Sequence, residues 1–219
     1  MTEHGATAAD GGTTPAAAAV VPPAVAGIVP PAAAGVVQRA LAAPARLGPV
    51  RLVCIDGPAG SGKTTLAGAV ADGVRAQGSA AAVLHVDDLY AGWRGLEGDL
   101  WPRLTAQVLE PLRRGRDGRY QRFDWTLDRF DDWVDLPRPD VLVLEGCGSG
   151  RRAAAPDLSL LVWVQADDAL RLSRGLERDG AQAREHWERW MRDETAHFAR
   201  EDTRGRADIR VDAYGRMAG

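Results

Sequence analysis

Residues 51–77 read RLVCIDGPAGSGKTTLAGAVADGVRAQ. RLVCID (51–56) is a largely apolar run that suits a buried strand. KTTLAGAVADGVRAQ (63–77) carries Leu66, Val70 and Val74 at helical intervals. Between them, Gly57-Pro58-Ala59-Gly60-Ser61-Gly62-Lys63-Thr64 fits G-x-x-x-x-G-K-[ST] without a mismatch. Each part of that pattern has a physical reason. Glycines let the backbone curl so that successive N–H groups point at phosphate oxygens. A helix beginning near Lys63 adds its positive dipole end. The Lys63 ammonium suits β- and γ-phosphate oxygens, and the Thr64 hydroxyl suits Mg2+. Residues 57–65, through Thr65, are therefore expected to bind a nucleoside triphosphate.

Composition sharpens the reading of that lysine. Of 27 basic residues, 26 are arginine, and Lys63 is the one exception. A compact ammonium fits between phosphates where a forked guanidinium does not. The formal net charge of −3 argues against a nucleic-acid partner, which would call for a basic excess. The two cysteines, Cys54 and Cys147, have no metal-ligand spacing and read as free thiols of a reducing compartment. Oligomeric state is left open by the sequence.

Outward from the loop, the chain divides in two. Residues 1–47 are rich in Ala, Pro, Val and Gly, with VPPAVAGI (21–28) repeated as VPPAAAGV (29–36). No charge falls between Gly11 and Gln38. Pro22–Pro23 and Pro30–Pro31 would break a spanning helix, and MTEHG lacks a basic leader. A disordered, partly polyproline tail is expected, with a short helix over 36–47, no membrane role and a cytoplasmic location. Residues 48–219 should form one domain. Apolar strand runs at 51–56, 81–87, 140–146, 158–165 and 207–212 alternate with helical patterns at 63–77, 99–114, 167–179 and 182–201. Strands apolar throughout and separated by helices predict a doubly wound, three-layer α/β fold on a parallel sheet, of the P-loop type.

The loop alone does not separate kinases from other nucleotide hydrolases. A guanine-reading Asn-Lys-x-Asp loop is excluded, because the chain has no asparagine and no second lysine. A small kinase needs an acid at the acceptor, a metal ligand and a mobile basic lid. Asp87 and Asp88 end the second strand run, where the ligand crevice of such a sheet lies. A carboxylate there can take the proton of an attacking hydroxyl. Glu145 ends DVLVLEG (140–146), a place from which it can help hold magnesium. Arg171, Arg174 and Arg178 fall at i, i+3 and i+7 on one helical face. A guanidinium stripe suits a transferring phosphoryl group, and a lid over about 171–182 is expected.

Together these motifs resemble the uridine/cytidine kinase family, within the uridine kinase and phosphoribulokinase group, from about Val50 to Asp212. IDGPAGSGKTTLA resembles its phosphate loop, VDDLY its D-S-F-Y segment, VLVLEG its Glu-Gly strand and RLSRGLERD its lid. ADIRVD resembles its closing strand. The resemblance implies ATP and Mg2+ as cofactors, Asp87 rather than Asp88 as the catalytic acid, Glu145 near the metal, and Arg171, Arg174 and Arg178 as lid arginines. The family's N-F-D-H-P segment has no counterpart, and RYQRFDWTLDRFDDW (119–133) stands where a pyrimidine-reading histidine would be.

The expected activity is transfer of the γ-phosphoryl group of ATP to a hydroxyl of a small molecule, with a nucleoside first in line. Another small metabolite as acceptor, or an ATP-dependent switch acting on a protein, are the alternatives. Tyr90, Arg122, Asp124 and Trp125 join Asp87 as expected acceptor contacts, since carboxylates bind sugar hydroxyls and an indole covers a ring. Trp187, Trp190, Met191 and Phe198 read as helix packing, and His85, His186 and His197 are assigned no chemistry.

Overall fold

The computed structural model describes residues 30–217, and the remainder of the expected tail, residues 1–29, lies outside them. In chain order the strands are β1 (Arg51–Asp56), β2 (Ala81–His85), β3 (Gly118–Asp124), β4 (Arg129–Leu136), β5 (Val141–Glu145), β6 (Leu158–Val164) and β7 (Ile209–Val211). Five of them form a parallel sheet in the order β2-β5-β1-β6-β7. The helices are α1 (Ala33–Ala42), α2 (Lys63–Ala76), α3 (Leu100–Leu104), α4 (Glu110–Arg113), α5 (Asp168–Asp179), α6 (Arg184–Glu201) and α7 (Thr203–Arg206).

The strands are apolar throughout because both faces are covered. On one face Leu52, Cys54, Leu142 and Leu144 pack against Leu104, Val108, Leu112 and Trp190. On the other, Val53, Ile55, Val141 and Val143 pack against Leu66, Val70 and Val74 of α2 and Val36 and Ala40 of α1. This is the expected three-layer doubly wound fold. It brings the carboxyl ends of β1, β5 and β2 side by side, with Ile55, Glu145 and His85 in register.

Three features differ from the sequence expectations. The short helix begins at Ala33 rather than 36, and its apolar face is buried on α2. The Ala32 N–H donates to the Gly215 carbonyl at 2.7 Å, so packed chain begins ahead of the boundary expected at residue 48. The helical run over 100–113 opens into a π turn at Thr105–Leu109 just before Pro111. Proline has no N–H to donate and crowds the preceding turn, which favours such a widening. The third is an antiparallel hairpin, β3–β4, turning at Asp128 with φ of 50°. Its alternation is broken by a register shift between Gln121 and Phe123 and by acidic residues on the open face, which hides the period of two. Among the described residues, no helix is long and apolar enough to cross a membrane.

Val36 is fully buried at the α1–α2 contact. Val36→Ala should cost about 2 kcal/mol of stability through the cavity it leaves. Exposed Gln38→Ala on the same helix should stay within about 0.5 kcal/mol. Urea unfolding of the two variants checks whether α1 is an integral layer of the domain.

Candidate active site

The turn from β1 into α2 is built on glycine geometry. Gly57 has φ of 142°, and a Cβ there would sit 2.0 Å from the Val164 carbonyl oxygen. Gly60 has φ of 77° and lies against the backbone of Arg171, where a Cβ would approach the carbonyl oxygen to 2.8 Å. Gly62 caps α2 in the left-handed region, and a Cβ there would meet no protein atom within 4 Å. Two of these glycines therefore allow close packing from behind, while the third faces open space. Asp56, fully buried, accepts hydrogen bonds from the N–H groups of Gly57 (2.7 Å), Gly148 (2.9 Å) and Gly150 (2.8 Å). It thereby locks this turn to the turn after β5.

Lys63 is buried, and its Nζ donates to the Pro58 carbonyl at 2.8 Å. Burial disfavours its charge, but Cys147, Glu145, Glu194 and Asp87 outweigh burial and hold the ammonium above its ordinary pKa. The Thr64 hydroxyl donates to Glu145 Oε1 at 3.1 Å. His85 Nδ1 lies 2.5 Å from the same oxygen, and that hydrogen bond raises the imidazole pKa. Threonine and glutamate, expected to share a metal, thus touch across the ends of β1 and β5.

Asp87 and Asp88 lie on a short 3-10 turn, Val86–Leu89, directly after β2. Asp87 is exposed at its surface position although protein atoms crowd it from behind. Loss of water and the Glu145 charge raise its carboxyl to about 6, against the pull of Lys63, Arg178 and His85. Asp88 points elsewhere and accepts the Tyr120 hydroxyl at 3.2 Å.

The three arginines expected in a lid occupy different places. Arg171 is buried and pairs with Glu194 and Asp168, while donating to the Ala59 carbonyl at 3.2 Å. Arg174 donates to the Gly60 carbonyl at 3.1 Å and to Ala213 at 3.3 Å. Arg178 alone is near enough to the cleft acids for Asp87 and Glu145 to raise its pKa, after its hydrogen bond to Asp179. One helical face therefore supplies two braces for the loop and one guanidinium for the cleft.

The expected acceptor residues also divide. Trp125 donates from Nε1 to the Asp87 carbonyl at 3.3 Å and stands edge-on to Trp93 and Phe123. Burial raises the Asp88 pKa, Arg122 lies close enough to oppose part of that rise, and Arg122 also bonds Asp132. Tyr90 is buried, its hydroxyl donating to the Cys147 carbonyl at 2.5 Å. Asp124 accepts the N–H groups of Thr126 and Leu127, which lower its pKa and fix the hairpin turn. Tyr90 is thus committed inside the protein, while one oxygen of Asp124 is taken up by the hairpin turn.

His85, assigned no chemistry from the sequence, joins the site, as do three residues the sequence does not point to. His85 shares Glu145, Trp93 stacks on His186 at 5.5 Å beside Trp125, Tyr120 holds Asp88, and Glu194 contacts the phosphate loop. Only His85 had a legible signal, since it sits two residues before Asp87 at a strand end.

The cradle suits a polyphosphate. The Ser61 hydroxyl is buried without a hydrogen-bond partner among the described residues. Such a group costs free energy unless something arrives to satisfy it. A divalent ion also fits the donor set of one hydroxyl and one carboxylate, both oxygen ligands.

The fold is shared with solved structures of several kinases. Among solved structures, a candidate uridine kinase from Bacillus stearothermophilus is 22% identical, covers 81% of this chain and 96% of its own, and superposes with a TM-score of 0.56. A candidate fructose transport system kinase from Silicibacter sp. TM1040 is 21% identical over 75% of this chain and 94% of its own, with a TM-score of 0.60. D-glycerate 3-kinase from Cryptococcus neoformans is 15% identical over 85% of this chain and 96% of its own, at 0.56. No protein-family model matches the chain, and no curated protein does.

Because Asp87 binds its proton more tightly when folded, its ionisation opposes folding above the native pKa. The effect vanishes below about pH 4, where the carboxyl is protonated in both states. Asp87→Asn should therefore raise stability by about 1 kcal/mol near neutral pH, a figure reduced for the side chain's solvent contact. The gain should disappear as pH falls through 6 toward 4. Thermal melts across that range check it.

Proposed function

We propose that the protein is a kinase that moves the γ-phosphoryl group of ATP to a hydroxyl of a small molecule. The observation that carries this is the cradle of Gly57–Thr64, whose Thr64 hydroxyl meets Glu145 at 3.1 Å beside the end of β2. Residues 57–65 bind the triphosphate, with Lys63 on its β and γ oxygens. Thr64 and Glu145 would hold Mg2+, which neutralises developing phosphate charge when bound.

Asp87 takes the proton of the acceptor hydroxyl. The acceptor oxygen then bonds to the γ phosphorus as its bond to the bridging oxygen breaks, and ADP leaves. A native pKa of about 6 leaves Asp87 ionised at neutral pH yet basic enough to act. Arg178 is placed to offset charge on the transferring group, while Arg171 and Arg174 hold the loop it is transferred from. Closure over the cleft would exclude water, which otherwise competes for the phosphoryl group.

The acceptor is read from Asp87, Trp125, Arg122 and the Asp88–Tyr120 pair. Carboxylates suit hydroxyls, and the exposed indole suits the flat face of a sugar or base. A nucleoside of the uridine or cytidine kind remains the first candidate. A sugar or sugar acid is the second reading. It is favoured by the similarity to proteins described as a fructose transport system kinase and a D-glycerate 3-kinase, and by the burial of Tyr90 away from an acceptor. The work is proposed to take place in the cytoplasm, with no nucleic acid or membrane involved.

A panel of nucleosides, sugars and sugar acids should contain an acceptor that stimulates ADP release and gains a phosphate. If release were indifferent to every acceptor, the kinase reading would fail. Lys63→Ala should abolish turnover in a folded protein. Asp87→Asn should lower kcat by about 10² to 10⁴. Asp88→Asn should act mainly on acceptor KM, and a larger kcat loss there would reassign the base.

A further inference from the structure

Glu194 lies on α6, away from every residue of the phosphate-binding motif in sequence. Its side chain is 1% exposed. The carboxylate accepts the Ala59 N–H at 2.8 Å, the Trp190 indole N–H at 3.1 Å and the Cys147 thiol at 3.4 Å. Its other oxygen pairs closely with Arg171 of α5. A buried carboxylate is expensive unless it is paired and hydrogen-bonded, and this one is fully engaged.

The partners matter more than their number. Ala59 gives its N–H to Glu194 and its carbonyl to Arg171. Both polar groups of one residue in the phosphate loop are therefore held by an ion pair spanning the two lid-side helices. Gly60, the next residue, packs directly on the Arg171 backbone. Trp190 continues the contact outward, meeting Tyr90 at 5.3 Å and Trp93 at 6.1 Å, on the segment that carries Asp87.

We propose that Glu194 is a positioning residue for the nucleotide: with Arg171 it clamps Ala59, and so sets the direction of the loop N–H groups and of Lys63. The inference rests on the nucleotide-binding reading above. Its opposite is easily stated. Glu194 is also a negative charge that favours the Lys63 ammonium and would repel phosphate. If charge were its only role, neutralising it would tighten binding of ATP. If it positions the loop, neutralising it loosens binding.

Calorimetric titration of the full chain with Mg·ATP separates these outcomes. Glu194→Gln keeps the shape but presents an amide N–H2 to a donor. Its Kd for Mg·ATP should rise about tenfold, since small misplacements in a site cost that much or more. The acceptor KM should move far less. Glu194→Asp, which retains the charge on a shorter stem, should fall between the two. Arg171→Met should weaken ATP similarly, and the double variant Glu194→Gln/Arg171→Met should be little worse than either single one, because the pair acts as a unit. Circular dichroism establishes that each variant is folded. Should Glu194→Gln fail to fold, Glu194→Asp and Arg171→Met decide the matter alone. Unchanged or tighter ATP binding in folded variants, or losses that multiply in the double variant, would overturn the proposal. Absence of ATP binding by the parent chain would instead sink the nucleotide reading itself.

Discussion

The carboxylate of Asp56 joins two turns that would otherwise be independent. It receives N–H groups from Gly57 on one side and from Gly148 and Gly150 on the other. Burial pushes its pKa upward, while those donors and Lys63 pull it back. The consequence is geometric. The loop that follows β1 and the turn that follows β5 move as one body, so Lys63, Thr64 and Glu145 keep a fixed relation. A parallel sheet provides the adjacency of the strand ends, but Asp56 removes the remaining freedom at their tips.

Around that fixed body the charges are arranged in opposition. Several acidic groups favour the Lys63 ammonium, while crowding by protein atoms first and the Glu145 charge second raise the Asp87 pKa. Folding this site costs stability that the two large apolar clusters supply elsewhere. Such stored repulsion between Glu145 and Asp87 is relieved when positive charge enters between them. A cation between these two carboxylates would offset that repulsion.

Legibility in the sequence followed the strength of local signals. The strands β1, β5 and β6 are unbroken apolar runs, and the structure places them within a residue of the expected bounds. The phosphate loop was explicit because glycine spacing and a lone lysine are properties of adjacent residues. The β3–β4 hairpin was not, because its apolar residues are interrupted by Asp132 and by a register shift. Helix α5 shows the limit of periodicity. Spacing places Arg171, Arg174 and Arg178 on one face, but what each meets depends on Glu194, Gly60 and Asp179, which no spacing rule predicts. Tyr90 was read as an acceptor contact from its position beside Asp87, whereas its side chain turns inward to Trp190.

The solitary lysine has one more implication. In this sequence every other side-chain cation is a guanidinium or an imidazole, so Lys63 holds the only ε-amine, and it is 7% exposed. Acylating reagents aimed at amines, and conjugating systems that build isopeptide bonds, would find no accessible side-chain target over residues 30–217. An amine adduct located within those residues would mark the cradle lysine, so the acylated fraction of the peptide that carries Lys63 would report how often the loop stands open.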